Sequence, residues 1–249
     1  YCDFEAEVFI TVDVASVSLL GEKYAHLADK IDICIDHHKS NSHYAKLNII
    51  DTKSAATGEV VYTLLKKLNI EMDSEIATCL YTAISTDTGC FKFANTTSKT
   101  FEIVSKIVNY IPNLEELNRR LFEMKSIREI KLESIVYATM KFYADNRIAL
   151  AYIPMDTVKQ LNATEDDIDG MSALPRRIEG VMIGICAREI KKGEFKFSVR
   201  SNGNIDVSLI CQKFSGGGHF NASGCTIFDS KENAIAKMLK ECEAALGAV

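Results

Sequence analysis

The sequence predicts an α/β chain of two domains: a mostly parallel sheet flanked by helices, then a smaller mixed-sheet domain, with a helical linker between them. Three observations carry this expectation. Short apolar runs alternate with helix-period segments in the first half, which is the signature of βαβ units. A long helical run then interrupts the pattern. Beyond it, apolar runs separated by a Lys-Gly turn read as paired strands. The 249 residues, 47% hydrophobic and 25% charged, suffice for two medium domains, each with its own core.

Taken in order, Val8 to Val12 reads as a buried strand ending at Asp13. A helical stretch follows over Leu19 to Ala28. Ile31 to Ile35 is a second strand, ending at Asp36-His37-His38, and Leu47 to Ile50 is a third. Helices are expected at Ser54 to Leu68 and Ser74 to Ser85, where apolar residues recur at spacings of three and four. Thr97 to Tyr110, Asn113 to Met124 and Ile127 to Met140 form the helical run, with Pro112-Asn113 as a break and Asn113 as a cap. Ile148 to Ile153, Gly180 to Ile190 and Glu194 to Arg200 read as strands. Met155 to Leu161, Thr164 to Arg177, Asp206 to Phe214 and Lys231 to Leu246 read as helices. The domains are therefore expected at 1–112 and 146–249, with 113–145 as the linker. Tyr1 is not an initiator Met and an interior strand begins almost at once, so the sequence is expected to start inside its first domain.

Composition narrows the function. No apolar run approaches the roughly 20 residues of a membrane span. The eight cysteines, Cys2, Cys34, Cys79, Cys90, Cys186, Cys211, Cys225 and Cys242, form no CxxC pair and mostly sit in apolar runs. They read as buried small hydrophobes of a cytoplasmic protein. The net charge of −5 and pI near 5.6, with basic residues only in isolated pairs, argue against a groove for long nucleic acid.

Ionisable side chains gather where parallel strands end, the usual binding crevice of an open α/β sheet. Asp13 follows one strand, Asp36, His37 and His38 the next, and Asp87 lies in Ser85-Thr86-Asp87-Thr88-Gly89 after a helix. A single Asp in such a place is by itself a turn former or cap. The set of carboxylates and imidazoles, without a thiol, suits a borderline-hard divalent ion such as Mn²⁺ rather than structural zinc. A second constellation is Phe214-Ser215-Gly216-Gly217-Gly218-His219, preceded by Arg200. Three glycines let an anion approach backbone N–H groups, and Arg200 and His219 add charged donors.

These motifs resemble those of the DHH/DHHA1 phosphoesterase family. Ile35-Asp36-His37-His38 is similar to its DHH signature, Gly216-Gly217-Gly218-His219 with Ala222 and Gly224 to its DHHA1 signature, and Asp13 and Asp87 stand in register with them. Ile50-Asp51-Thr52 and the Phe91-to-Thr97 stretch extend the likeness to the bacterial nano-RNase and pAp-phosphatase group. The resemblance implies two Mn²⁺ ions, with Asp13 bridging them and His37 and Asp87 completing one. It implies that His38 faces the scissile phosphate and that Asp36 orients the histidines. Arg200, Ser201, Gly216, Gly217, Gly218 and His219 would bind substrate.

The activity so implied is a 3′-5′ oligoribonuclease on very short RNA and/or a phosphatase on 3′-phosphoadenosine 5′-phosphate (pAp), with a small nucleotide as partner and room for a homodimer. A cyclic- or linear-dinucleotide phosphodiesterase and a non-catalytic nucleotide-binding module are the alternatives. The chain departs from the family in lacking an earlier segment with a His and paired aspartates, which Asp3, Glu5 and Glu7 do not replace. The chain alone is therefore expected to hold one ion and to be inactive.

Overall fold

A computed structural model describes residues 6–247; Cys2, Asp3 and Glu5 lie outside the described residues. Internal contacts divide the chain into two units, Tyr1–Met124 and Lys125–Val249.

In the first unit, three short apolar runs become parallel strands β1 (Ile10–Val12), β2 (Ile33–Asp36) and β3 (Leu47–Ile50), in that order across the sheet. Ile10 aligns with Ile33, and Ile33 with Leu47. Between β1 and β2 the expected helical stretch is two 3₁₀ segments, Val17–Leu20 and Glu22–Lys30. Gly21 at φ +72° separates them, and neither segment fully buries a residue. With little apolar surface packed here beyond Leu27 against Ile31, Cys34 and Ala45, little rewards a continuous α-helix.

Helices α1 (Thr57–Lys67), α2 (Ser74–Asp87) and α3 (Ser98–Ile107) follow. Asp73 caps α2 by accepting the Ile76 N–H. A reciprocal Thr97/Thr100 capping box starts α3. Tyr62, Leu80, Tyr81, Ile84, Ile103 and Ile107 from these helices form one core, against which Leu114 and Leu117 of α4 (Leu114–Asn118) pack.

The second unit begins with α5 (Ile127–Thr139), opened by a Ser126/Glu129 capping box. The helical stretch read as a linker is thus divided, α4 packing in one unit and α5 in the other. Strands β4 (Lys141–Tyr143) and β5 (Ile148–Ile153) lead to α6 (Met155–Gln160) and α7 (Glu165–Met171). Then come β6 (Ile183–Lys191), β7 (Glu194–Ser201), α8 (Val207–Gln212), β8 (Gly217–His219), β9 (Ala222–Phe228) and α9 (Lys231–Gly247).

The six strands form a mixed sheet in the order β4-β5-β6-β7-β9-β8, with only β5 and β6 parallel. Leu132 and Val136 of α5 pack on one face with Ala151, Ile153 and Cys186. Ile185, Phe197 and Val199 meet Met238 and Cys242 of α9 on the other.

The described cysteines are all unpaired. Cys34, Cys186, Cys211, Cys225 and Cys242 are buried, as expected, but Cys79 is exposed and Cys90 half-buried. Among the described residues no helix is long and apolar enough to cross a membrane.

Candidate metal centre and glycine edge strand

The C-terminal ends of β1 and β2 deliver the ionisable groups. Asp13 leaves β1 with its N–H bonded to the Ile35 carbonyl (3.0 Å) and its backbone in the left-handed region, φ +64°. That conformation is uncommon outside glycine and asparagine-like residues and marks a position held by its surroundings. Thr57, the first residue of α1, secures the side chain by donating its hydroxyl to Asp13 Oδ1 at 2.6 Å.

Asp36 ends β2 fully buried and collects donors. Its Oδ1 accepts the His37 N–H (2.7 Å), the His38 N–H (3.3 Å) and the His38 ring at Nδ1 (2.7 Å). Its Oδ2 accepts from Asn41 Nδ2 at 2.6 Å. Burial by itself pushes the Asp36 carboxyl up, but the bonds from Asn41, His38 and the two backbone N–H groups outweigh it and hold the group below the usual carboxylate range. The same Asp36 contact raises His38 above the usual imidazole value, against the opposing effect of burial. A carboxylate can only accept, so His38 Nδ1 carries the proton and Nε2 is left free.

His37 is oriented from the other side. Its Nδ1 lies 3.1 Å from the Ser54 carbonyl, again an obligate acceptor, so Nδ1 is the donor there and the ring turns Nε2 toward the carboxylates. That Nε2 is 3.3 Å from Asp87 Oδ2 at the end of α2 and 3.8 Å from Asp13 Oδ1. Asp13, His37 and His38 each present a ligand atom within 4.8 Å of the others. Asp87 stands outside that trio but touches His37. Burial and the neighbouring Asp13 charge push the Asp87 carboxyl up, and the two histidines only partly offset this.

Two carboxylates crowded together with two imidazoles beside them form a donor set that a divalent cation would satisfy, and the oxygen and nitrogen donors suit one of borderline hardness. Beside Asp13 and Asp87 an open groove of about 490 Å³ is lined largely by apolar groups, including Val12, Val61, Leu80 and Ala83. The sequence pointed to Asp13, Asp36, His37, His38 and Asp87, and these meet. It missed Thr57, Asn41 and Ser54.

The other constellation lies in the second unit. Its glycines are not a loop: Gly217, Gly218 and His219 form edge strand β8, paired with Gly224, Ser223 and Ala222 of β9. A Cβ at Gly216 would sit 2.2 Å from the Gly224 oxygen. At Gly218, with φ +149°, a Cβ would lie 2.5 Å from the Ala222 oxygen. Only glycine lets this strand approach β9 so closely. Gly217 has open space in front of it.

Arg200 aligns with Ala222, and Ala222 with His219, so the arginine and the exposed histidine share one face of the sheet. The Arg200 guanidinium is half-buried, donates to the Val199 (3.1 Å) and Ser223 (3.4 Å) carbonyls, and burial pulls its pKa down. Ser201 faces the opposite way. It is buried and donates its hydroxyl to the Ile205 carbonyl at 2.7 Å, so alternation along β7 removes it from the Arg200–His219 face.

A parallel sheet with a cation-ready Asp/His cluster at its strand ends, followed by a mixed sheet edged by a glycine strand, defines a two-unit α/β protein with a candidate metal site in its first unit. The chain belongs to the DHH family: residues 4–84 match the DHH family N-terminal domain and residues 145–248 the DHHA1 domain. It is 34% identical over 195 residues to the bifunctional oligoribonuclease and PAP phosphatase NrnA of Thermus thermophilus, an alignment covering 78% of this chain and 58% of that protein. The NrnA of Bacillus subtilis is 25% identical over 96% of this chain and 77% of its own length. A crystal structure of an exopolyphosphatase-related protein from Bacteroides fragilis superposes with a TM-score of 0.84 at 25% identity, covering 96% of this chain and 72% of that one. The chain thus spans little more than half the length of the Thermus relative.

Proposed function

We propose that the chain serves a cytoplasmic, metal-dependent phosphoesterase that acts as a 3′-5′ oligoribonuclease on very short RNA and as a phosphatase on pAp. The observation that carries this reading is the Asp13, His37 and His38 cluster with Asp87 against it. Its support from relatives is the activity for which the Thermus and Bacillus proteins are named.

Asp13, His37 and Asp87 would hold a divalent ion, Mn²⁺ in our reading, which when bound polarises a phosphoryl oxygen and acidifies water. His37 binds through Nε2 because the Ser54 carbonyl occupies its Nδ1 side. His38, turned by Asp36, presents Nε2 to the phosphate as hydrogen-bond donor or acceptor. In the second unit Arg200, His219 and the open face at Gly217 are the phosphate-binding groups; Gly216, whose N–H is taken by the Cys211 carbonyl (2.9 Å), and Gly218 serve by letting the strand lie close to β9. Ser201 contributes by fixing the strand end rather than by touching substrate.

A second ion needs ligands beyond the single cluster found among the described residues. The outer edge of β1, where Ile10 and Val12 are exposed, and the adjoining apolar groove are where we place the segment that would bring them. The chain as given then binds one ion and turns over little substrate.

The test is calorimetric titration with Mn²⁺, together with Mn²⁺-dependent hydrolysis of pAp, five-nucleotide RNA, pGpG and pyrophosphate by the protein expressed from its complete reading frame. One ion per chain, and turnover of RNA and pAp by the complete protein, are expected. Turnover of pyrophosphate alone would set the nucleotide reading aside.

A further inference from the structure

A charged cluster beside the metal centre takes no part in the chemistry above. Glu59 of α1 is fully buried. Its Oε1 accepts the Thr100 hydroxyl at 2.6 Å, while Oε2 is buried without any hydrogen bond. A buried carboxylate with a bare oxygen is costly unless a cation answers it. The nearest is Lys99, whose Nζ lies 4.0 Å from Oε2. That same Nζ donates to Asp51 Oδ2 (3.2 Å) and Ser54 Oγ (3.1 Å).

Ser54 is the residue whose carbonyl holds the His37 ring. It sits in a tight turn: its N–H bonds the Asp51 carbonyl (3.1 Å), its hydroxyl donates to Asp51 Oδ2 (2.8 Å), and the Asp51 N–H bonds the Asp36 carbonyl (3.1 Å). One residue further on, the Ala55 carbonyl accepts from Asn95 Nδ2 at 2.9 Å, and the same amide reaches the Asp87 carbonyl at 3.2 Å. Lys99 and Asn95 therefore brace, from the start of α3 and the loop before it, the turn that carries the His37 acceptor. Asn95 also ties that turn to the backbone of Asp87.

We infer that Lys99, charge-balanced between Asp51 and Glu59, is a positioning residue: it locks the turn at Ser54 so that the carbonyl, 3.1 Å from His37 Nδ1, holds the ring with Nε2 turned toward Asp13 and Asp87. Asn95 completes the brace by holding the turn and Asp87 at fixed separation. The inference rests on the proposed metal-binding role of His37, but the state of the ring can be read without metal. Outer partners of a metal-ligating histidine set its tautomer, and their loss costs roughly 10–100-fold in metal affinity.

The experiment compares the wild-type chain with Lys99→Met and with the double variant Glu59→Gln/Lys99→Met, which also removes the buried charge that could unfold the single variant. The seating of the His37 ring is read metal-free from NOEs between its ring protons and the turn at Ser54, and Mn²⁺ affinity is measured by calorimetry. Both variants are expected to lose those NOEs and to bind Mn²⁺ roughly 10-fold more weakly, while the double variant regains thermal stability relative to the single one. Unchanged His37 NOEs in the folded double variant would overturn the inference, whatever happens to stability. If the wild type binds no Mn²⁺, the metal reading fails, and the NOE comparison still decides the brace.

Discussion

Asp36 concentrates the energetics of the site in one side chain. Among the described residues it has no lysine or arginine partner, so its charge is carried by the N–H groups of His37, His38 and Asn41 that converge on it. Asp36→Asn keeps the shape but turns an acceptor into a donor facing other donors. With hydrogen bonds to charged groups worth about 1.5–3 kcal/mol each and partial compensation by the remaining amide oxygen, unfolding free energy should fall by about 3 kcal/mol. Urea denaturation of the metal-free chain measures this. Mn²⁺ affinity should fall as well, because His38 loses the acceptor on Nδ1 and both ring orientations loosen. A variant as stable as wild type would mean that Asp36 is not the anchor its contacts describe. At this scale the sequence exposed the ligands but not what holds them. Asp-His-His after a strand is a local pattern. Thr57 reaches Asp13 across 44 positions and Lys99 reaches Asp51 across 48, and nothing near either residue in the chain records the encounter.

Among the elements, β8 is the one that glycine chemistry decides. Gly218→Ala would place a methyl 2.5 Å from the Ala222 oxygen and 2.7 Å from Ser223 Cα, at a backbone angle alanine resists. The strand must then peel from β9, at a cost of about 1–3 kcal/mol. Gly217→Ala, next door, meets nothing within 4 Å and should be nearly neutral. Denaturant midpoints of the two variants, with pAp binding by calorimetry, separate a strand that must touch β9 from a merely flexible loop. Equal effects would favour the loop.

The start of α9 gives the pH prediction. Asp229 accepts from the Ser230 N–H, Asn233 and Lys237, and the Lys237 ammonium first, then Asn233 and Ser230, bring its carboxyl down to about 2. A depressed folded value means that the group stabilises the fold above its unfolded value, near 3.9, and that this contribution disappears as pH falls toward 2. Asp229→Asn should therefore lower the thermal midpoint at neutral pH, with the gap to wild type closing between about pH 4 and pH 2. A gap that persists at pH 2 would contradict the assignment. The β8–β9 pair escaped the sequence reading because Gly, Ala and Ser alternate there with few large apolar residues. The parallel strands β1 to β3, by contrast, are apolar runs that advertise themselves. The helical stretch before β2 was legible, but its 3₁₀ form was not, because residue pattern says little about how much core lies beneath a helix.

At the scale of the whole molecule the two units differ in the size of their sheets. Among the described residues the first has three strands, with β1 exposing Ile10 and Val12 at its outer edge. The second has six strands with packed helices on both faces. Where one unit ends could not be read from periodicity, since the apolar spacing of α4 and α5 does not say which core each one joins. Leu114 and Leu117 go to one core and Leu132 and Val136 to another, and only the fold distinguishes them. We propose the boundary after Met124 on that ground. The second unit then has everything a domain of its size needs: its own sheet, its own helical cover and two buried clusters. Residues 125–249 expressed alone should give a single cooperative thermal transition and a dispersed amide spectrum. A piece starting at residue 146, which omits α5, should strip Leu132 and Val136 from Ala151, Ile153 and Cys186, and so melt earlier or remain loosely packed. Loss of two fully buried aliphatic side chains costs several kcal/mol by the usual scale for core truncation, close to the whole stability of an ordinary domain. If the shorter piece folds as well as the longer one, α5 is a linker after all, and the boundary belongs further along the chain.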